Sequence, residues 1–275
     1  MKISPFTPLC FDPRRSDGLE SRYIQTWASG DSIFIEVIGD ATEAAPIGLV
    51  RNARSGSTVQ TIQWQVWRVN SAERLYYATL RGLTPGCYDV KIGNDACRPF
   101  RVTDNLGELR NTSLIQYRFK DNTQRDDVIS RIANMPAFFS FRVPGGFKDS
   151  GWQFGVTNEQ FATQREDLIE LYAYDYVSKT FTLGGSVGVP VWYGEMLNRL
   201  LTCSYVYIEG ERYVRADSEV PNINTLVDGL DSFVFTQLLR QVRYTEPAIE
   251  NENLLALRST NGQYYRAAGE IIRRT

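Results

Sequence analysis

The chain contains no histidine. Histidine is the usual general base near neutral pH, the base partner of Ser and Cys nucleophiles and the commonest metal ligand. Its absence removes the common catalytic triads and most zinc sites, while leaving paired carboxylates or a lysine able to do chemistry. The four cysteines, Cys10, Cys87, Cys97 and Cys203, have no Cys-x-x-Cys spacing, which argues against a structural zinc. We expect four reduced, buried thiols in a reducing compartment. No stretch approaches the roughly 18 uninterrupted apolar residues of a membrane helix. The segment Met1 to Pro8 lacks the apolar run of a secretory signal, so a soluble protein with no membrane insertion is expected. Charge is balanced, 30 basic against 32 acidic residues. The basic pairs Arg14-Arg15 and Arg273-Arg274 stand alone at the two ends, so no nucleic-acid partner is expected. There is no internal repeat and no low-complexity tract.

What is present is an ordinary globular composition rich in rings. Of 275 residues, 43% are hydrophobic and 23% charged, enough to bury a core without staples. The 15 tyrosines suit half-buried strands and also interfaces, because each offers an apolar face with a polar tip.

Residues 20–103 read as short strands. Ser32 to Ile38 follows the turn Ser29-Gly30-Asp31. Thr61 to Trp67 alternates, placing Ile62, Trp64 and Val66 on one face. Leu75 to Leu80 is a further strand. Cys87 to Ile92 and Pro99 to Val102 form a hairpin across Gly93-Asn94-Asp95; centred on Asn94, that turn sets Cys97 opposite Lys91 rather than Cys87. The segment Tyr76 to Val90, with Leu83-Thr84-Pro85-Gly86-Cys87-Tyr88-Asp89-Val90 at its centre, resembles a corner of fibronectin type III and related sandwiches. There Pro and Gly make the crossing turn, Leu83 plugs the core end, and Tyr88 and Val90 point inward. The polar stretch 103–112 marks a junction, giving a β-sandwich over 1–105 and an α+β assembly domain over 106–275. The fold class is therefore mostly β, an N-terminal antiparallel sandwich followed by a β-rich α+β domain with one main helix.

In the second half, strands are expected at Leu114 to Phe119 and Phe138 to Val143, the latter stopped by Pro144-Gly145-Gly146. Leu168 to Leu183 reads as two strands joined by a turn near Val177-Ser178-Lys179. Pro190 to Leu201 is the main helix, with Tyr193, Leu197, Leu200 and Leu201 on one stripe. Tyr205 to Ile208 and Arg212 to Val214 pair across Glu209-Gly210, with one face packed on that helix. Ser232 to Val242 is a strand, and Leu254 to Leu257 with Gln263 to Arg266 form a last hairpin across Asn261-Gly262.

Three groups could carry function. The loop Pro144 to Trp152 offers Phe147 and Trp152 as contact anchors; it lacks a Gly-Lys-Ser/Thr ending, so phosphate binding is not indicated. Tyr205, Tyr207 and Tyr213 occupy one short hairpin, the first two on a shared face; one face of the hairpin packs on the helix and the other is free to meet a partner or a sugar. Glu166 and Glu170 would share a strand face, a minimal carboxylate pair for glycoside cleavage, although a solvated face explains them as well. Asp126-Asp127 fits a helix first turn better than a metal site. No catalytic, cofactor-binding or metal residue is assigned, and no cofactor is expected.

The run Lys179 to Gly185, then Val189-Pro190-Val191-Trp192-Tyr193-Gly194-Glu195-Met196-Leu197 to Leu201, then Val206-Tyr207-Ile208-Glu209-Gly210-Glu211-Arg212-Tyr213, resembles distal-tail or baseplate-hub virion proteins of bacteriophages and prophages. The likeness covers about 40 residues. It implies a structural, non-enzymatic subunit that forms a homo-oligomeric ring, often hexameric, assembles in the host cytoplasm into the virion and docks other tail proteins. The alternative is a carbohydrate- or surface-binding bacterial protein presenting Trp64, Trp67 or Trp152 to sugars.

Overall fold

The computed structural model describes residues 1–11, 21–118, 138–162, 164, 168–216, 222–225, 231–242, 255–258 and 264–267. The chain is mostly β, with two short helices among the described residues. Among the described residues ten strands precede the first helix: β1 (Lys2–Ile3), β2 (Gln25–Ala28), β3 (Ile33–Asp40), β4 (Gly48–Asn52), β5 (Thr58–Thr61), β6 (Gln65–Arg68), β7 (Glu73–Leu80), β8 (Gly86–Ile92), β9 (Asp95–Ala96) and β10 (Phe100–Thr103). They form two sheets, β1-β3-β7-β6 and β2-β10-β8-β4-β5, with β9 folded onto β8. All pairings are antiparallel except β2 with β10, which run parallel, so the sandwich is not wholly antiparallel as expected.

The core between the sheets follows strand parity. Ile33, Ile35 and Val37 from β3, Tyr76, Ala78 and Leu80 from β7, and Tyr88, Val90 and Ile92 from β8 are all buried there around Trp27. The corner behaves as its residues require. Leu83 is buried, and the Tyr88 hydroxyl donates to the Thr84 carbonyl at 2.8 Å, tying the crossing turn to the strand that follows. The turn after β8 is one residue tighter than expected: Ile92 pairs with Asp95, so Cys97 faces Val90, whose amide donates to its sulfur. None of the four cysteines is in a disulfide; Cys10 and Cys97 are buried, whereas Cys87 and Cys203 are only half-buried.

One expected strand is broken. Thr61 to Trp67 does not run straight, because Ile62 to Trp64 carries the chain from the edge of one sheet (β5) to the edge of the other (β6). Ile62 and Trp64 instead close over Gly48, where no side chain would fit.

After helix α1 (Leu106–Leu109), capped by Asn105, come β11 (Thr112–Arg118), β12 (Phe139–Ala162), β13 (Leu168–Leu183), α2 (Val191–Leu200), β14 (Tyr205–Ile208), β15 (Glu211–Arg215), β16 (Asn222–Thr225) and β17 (Phe233–Gln241). A separate hairpin, β18 (Leu255–Arg258) with β19 (Tyr264–Ala267), lies near the C-terminus, and the loop expected to join it is outside the described residues. The pairings run β11-β12-β13-β17-β15-β14 and return to β11, closing six strands into a barrel, with β16 added to β17. Closure removes the edges of these strands within the barrel. The helix α2 starts after Pro190, as the sequence predicts, and turns Tyr193, Met196, Leu197 and Leu200 into the same core as Ile115, Phe141, Val206 and Leu239. Gly194 is required there: the Phe235 ring lies where its Cβ would be.

The sandwich and the barrel are joined by a shared aromatic core. Phe6 and Phe34 from the first half meet Tyr117 and Phe139 from the second, with Phe34 edge-on to Phe139 at 4.7 Å and Tyr117 stacked on Phe139 at 5.3 Å. The Tyr117 hydroxyl donates to the Phe6 carbonyl at 2.7 Å, and Arg142 forks onto the Asp31 carboxylate at 2.6 and 3.0 Å.

Candidate functional site, a projecting two-stranded arm

The pairing β12–β13 continues far beyond the barrel. Among the described residues, β11 covers β12 only from Phe139 to Pro144, and β17 covers β13 only from Ser178 to Leu183. From Trp152 to Ala162 and from Leu168 to Val177 the two strands pair, among the described residues, with each other alone. At about 3.3 Å per residue this ribbon is roughly 33 Å long.

Two sequence expectations fail here. Pro144-Gly145-Gly146 does not end a strand. Pro144 sits on the last rung with β11, where a missing amide is tolerated, and Gly145 (φ +111°) passes so close to the Thr182 carbonyl that a Cβ would overlap it. The glycines thus let β12 change partner from β11 to β13 without stopping, so Phe147 and Trp152 lie on a strand and not in a loop. Likewise Val177-Ser178-Lys179 is not a turn. Val177 and Ser178 are buried, and from Ser178 onward β13 pairs with both β12 and β17.

The ribbon's two faces follow from pairing. Trp152, Phe154 and Val156 share one face with Val177 and Lys179; Tyr172, Tyr174 and Tyr176 share the other with Thr157 and Glu159. Tyr176 covers Gly155, where a Cβ would collide with its ring. A register shift leaves Leu171 as an unpaired bulge, after which Phe161, Leu168 and Ile169 continue the apolar surface. Nine of the eighteen exposed large hydrophobic side chains among the described residues lie on this arm, with Phe154 77% and Leu168 64% accessible. Among its described residues the charged side chains are Glu159, Glu170 and Asp175, and neither Pro nor Lys blunts its edges.

The five residues singled out in the sequence are dispersed. Trp152 is on the arm, half-exposed and stacked at 6.2 Å on Phe154. Phe147 is half-buried at the arm's base against Tyr213. Tyr213 itself is buried in the barrel core, and burial, followed by the charge of Glu211, pushes its phenol up to about 12. Tyr207 is covered by Phe138, with ring centroids at 5.7 Å, and Tyr205 is half-buried beneath the Arg212 guanidinium. Tyr207 and Tyr213 are thus spent on packing within the subunit, on opposite faces of their hairpin; the Val206 and Ile208 face packs with α2 as expected. Glu170 is exposed and bonded by Asn158, whereas Glu166, Asp126-Asp127 and both terminal arginine pairs lie outside the described residues. Among the described residues no group of three potential metal-ligating side chains comes together, and no helix is long and apolar enough to cross a membrane.

Sequence reasoning missed Phe154, Val156, Leu168, Ile169, Tyr172 and Tyr174. The available signal was the lack of any Gly, Pro or Asn from Glu159 to Leu183, together with apolar residues at both parities. No known family model, curated protein or solved structure matches the chain.

Proposed function

We propose that this chain is a structural component of a phage tail or baseplate, one that self-assembles into a ring through its arm and docks other tail proteins. The observation that supports it is the arm itself. An isolated two-stranded ribbon is marginal in water, and this one exposes rings on both faces and, among the described residues, meets no third strand along either edge. A ribbon about 33 Å long and about 10 Å wide offers roughly 660 Å² over its two faces, close to the ~800 Å² per partner of a standard interface. The β12 edge of one copy and the β13 edge of the next are complementary, so head-to-tail pairing adds a subunit and leaves the same edge open for another, which gives a ring where the rotation between copies divides a full turn. The virion assignment rests on the resemblance carried by residues 179–213, the ring on the arm.

Sedimentation velocity over a wide concentration range tests the assembly. We expect a discrete oligomer that Phe154→Glu combined with Tyr174→Glu reduces to monomer while the melting temperature of the body is retained. A wild-type monomer at every concentration would defeat the proposal.

A glycan-binding surface module is the second reading. It is favoured by Trp152, which with Phe154 makes an exposed stacked pair of the kind sugars cover. Trp64 does not contribute, since its indole N–H is held by the Pro46 carbonyl at 2.6 Å and the ring is packed over Gly48. A glycan array without hits would remove it.

A further inference from the structure

The arm leaves the barrel at one level, and that level carries an unusual pair of contacts. Lys179 lies on the last rungs shared by three strands, opposite Trp152 on β12 and Leu239 on β17. Its ammonium stands 4.2 Å over the Trp152 ring, 5.6 Å from the Phe147 ring and 5.9 Å from the Tyr213 ring, and it reaches the Tyr213 hydroxyl at 3.4 Å. Trp152 belongs to the arm; Phe147 and Tyr213 belong to the barrel. On the opposite face Arg240, on the barrel strand β17, lies 4.0 Å over the ring of Tyr176, which belongs to the arm. The backbone offers little stiffness here, because β12 slips register between Phe147 and Trp152 and β13 loses β17 beyond Ser178.

We infer that Lys179 and Arg240 are positioning residues that clamp the base of the arm from both faces and fix the direction in which it projects. A cation over a ring is held by the ring's quadrupole and keeps its attraction when partly desolvated, unlike an exposed ion pair. One clamp on each face opposes bending in both senses, which neither alone can do. The chain has only five lysines, against 25 arginines, and one of them is placed here. The role rests on the arm being the docking surface, since an arm held at a fixed angle presents its edge to the next copy without first paying the entropy of ordering.

The test uses the full chain and two readouts. Hydrogen exchange on dilute monomer reports the arm, residues 152–162 and 168–177; sedimentation reports assembly. Lys179→Met with Arg240→Gln should raise exchange in the arm roughly fivefold to thirtyfold, as expected for losing about 1–2 kcal/mol, and weaken assembly by a similar factor, with exchange in the sandwich unchanged. Lys179→Arg and Arg240→Lys, which keep the charges, should restore both readouts. Trp152→Ala, at an exposed position that cannot unfold the body, should reproduce the Lys179 half of the effect. Arm exchange that is the same in the double variant and the wild type would overturn the clamp. Because exchange is read on monomer, a wild type that never assembles would defeat the docking proposal without touching this readout, and normal assembly by the double variant would overturn the positioning role alone.

Discussion

Replacing Asp31 by alanine probes how the two halves are held together. Its carboxylate accepts both prongs of the Arg142 fork, at 2.6 and 3.0 Å, and the Ala28 amide at 2.8 Å, with side-chain exposures of only 7% for Asp31 and 12% for Arg142. In the variant the guanidinium stays in the interface with one remaining side-chain acceptor, the Thr112 hydroxyl at 3.1 Å. Removing one partner of a buried pair costs about 3–5 kcal/mol, because the survivor is left charged and poorly solvated. The residual bond and the slight exposure place this site near the lower end, about 3 kcal/mol. Arg142→Met is expected to be milder, since Asp31 keeps the Ala28 amide and a lone carboxylate at the turn can draw in water. The double variant should be less destabilised than the sum of the singles, with a coupling of about 1–3 kcal/mol. Urea unfolding followed by tryptophan fluorescence gives each value from the midpoint and slope. Because the pair joins β12 to the turn after β2, Asp31→Ala should also split one transition into two. A loss below 1 kcal/mol in Asp31→Ala, or simple additivity in the cycle, would refute the view that this pair locks the interface.

Two further outcomes follow from the same geometry. Gly145→Ala should cost about 3 kcal/mol or more, from a positive φ and an overlap with the Thr182 carbonyl, and thermal melting should show a larger loss than Gly30→Ala, where the space is open. Stability should also fall in alkali. Burial pushes the Cys97 thiol from 9 up to about 12, so above pH 9 the unfolded chain releases a proton that the folded chain retains. That difference grows until the folded thiol ionises near pH 12, and Cys97→Ala should flatten the decline in melting temperature between those limits.

The sequence by itself determined the mostly β class, the crossing corner at Leu83 to Tyr88, the tight Glu209-Gly210 hairpin and the helix after Pro190. Each rests on local chemistry: alternation along a strand, a fixed proline φ, a glycine in a turn, an apolar stripe at helical spacing. Tertiary structure decided the arm. Pro144-Gly145-Gly146 carries the signature of a stop, and only the close approach of Thr182 shows that those glycines let a strand change partner and continue. Val177-Ser178-Lys179 looks polar enough to turn, yet pairing with β12 throughout, and with β17 as well from Ser178, holds it extended. The tyrosines followed the same logic. Residue type could not tell Tyr213, sealed in the barrel, from Tyr174, left on the arm, because a ring suits both places and only the neighbours across the sheet choose between them.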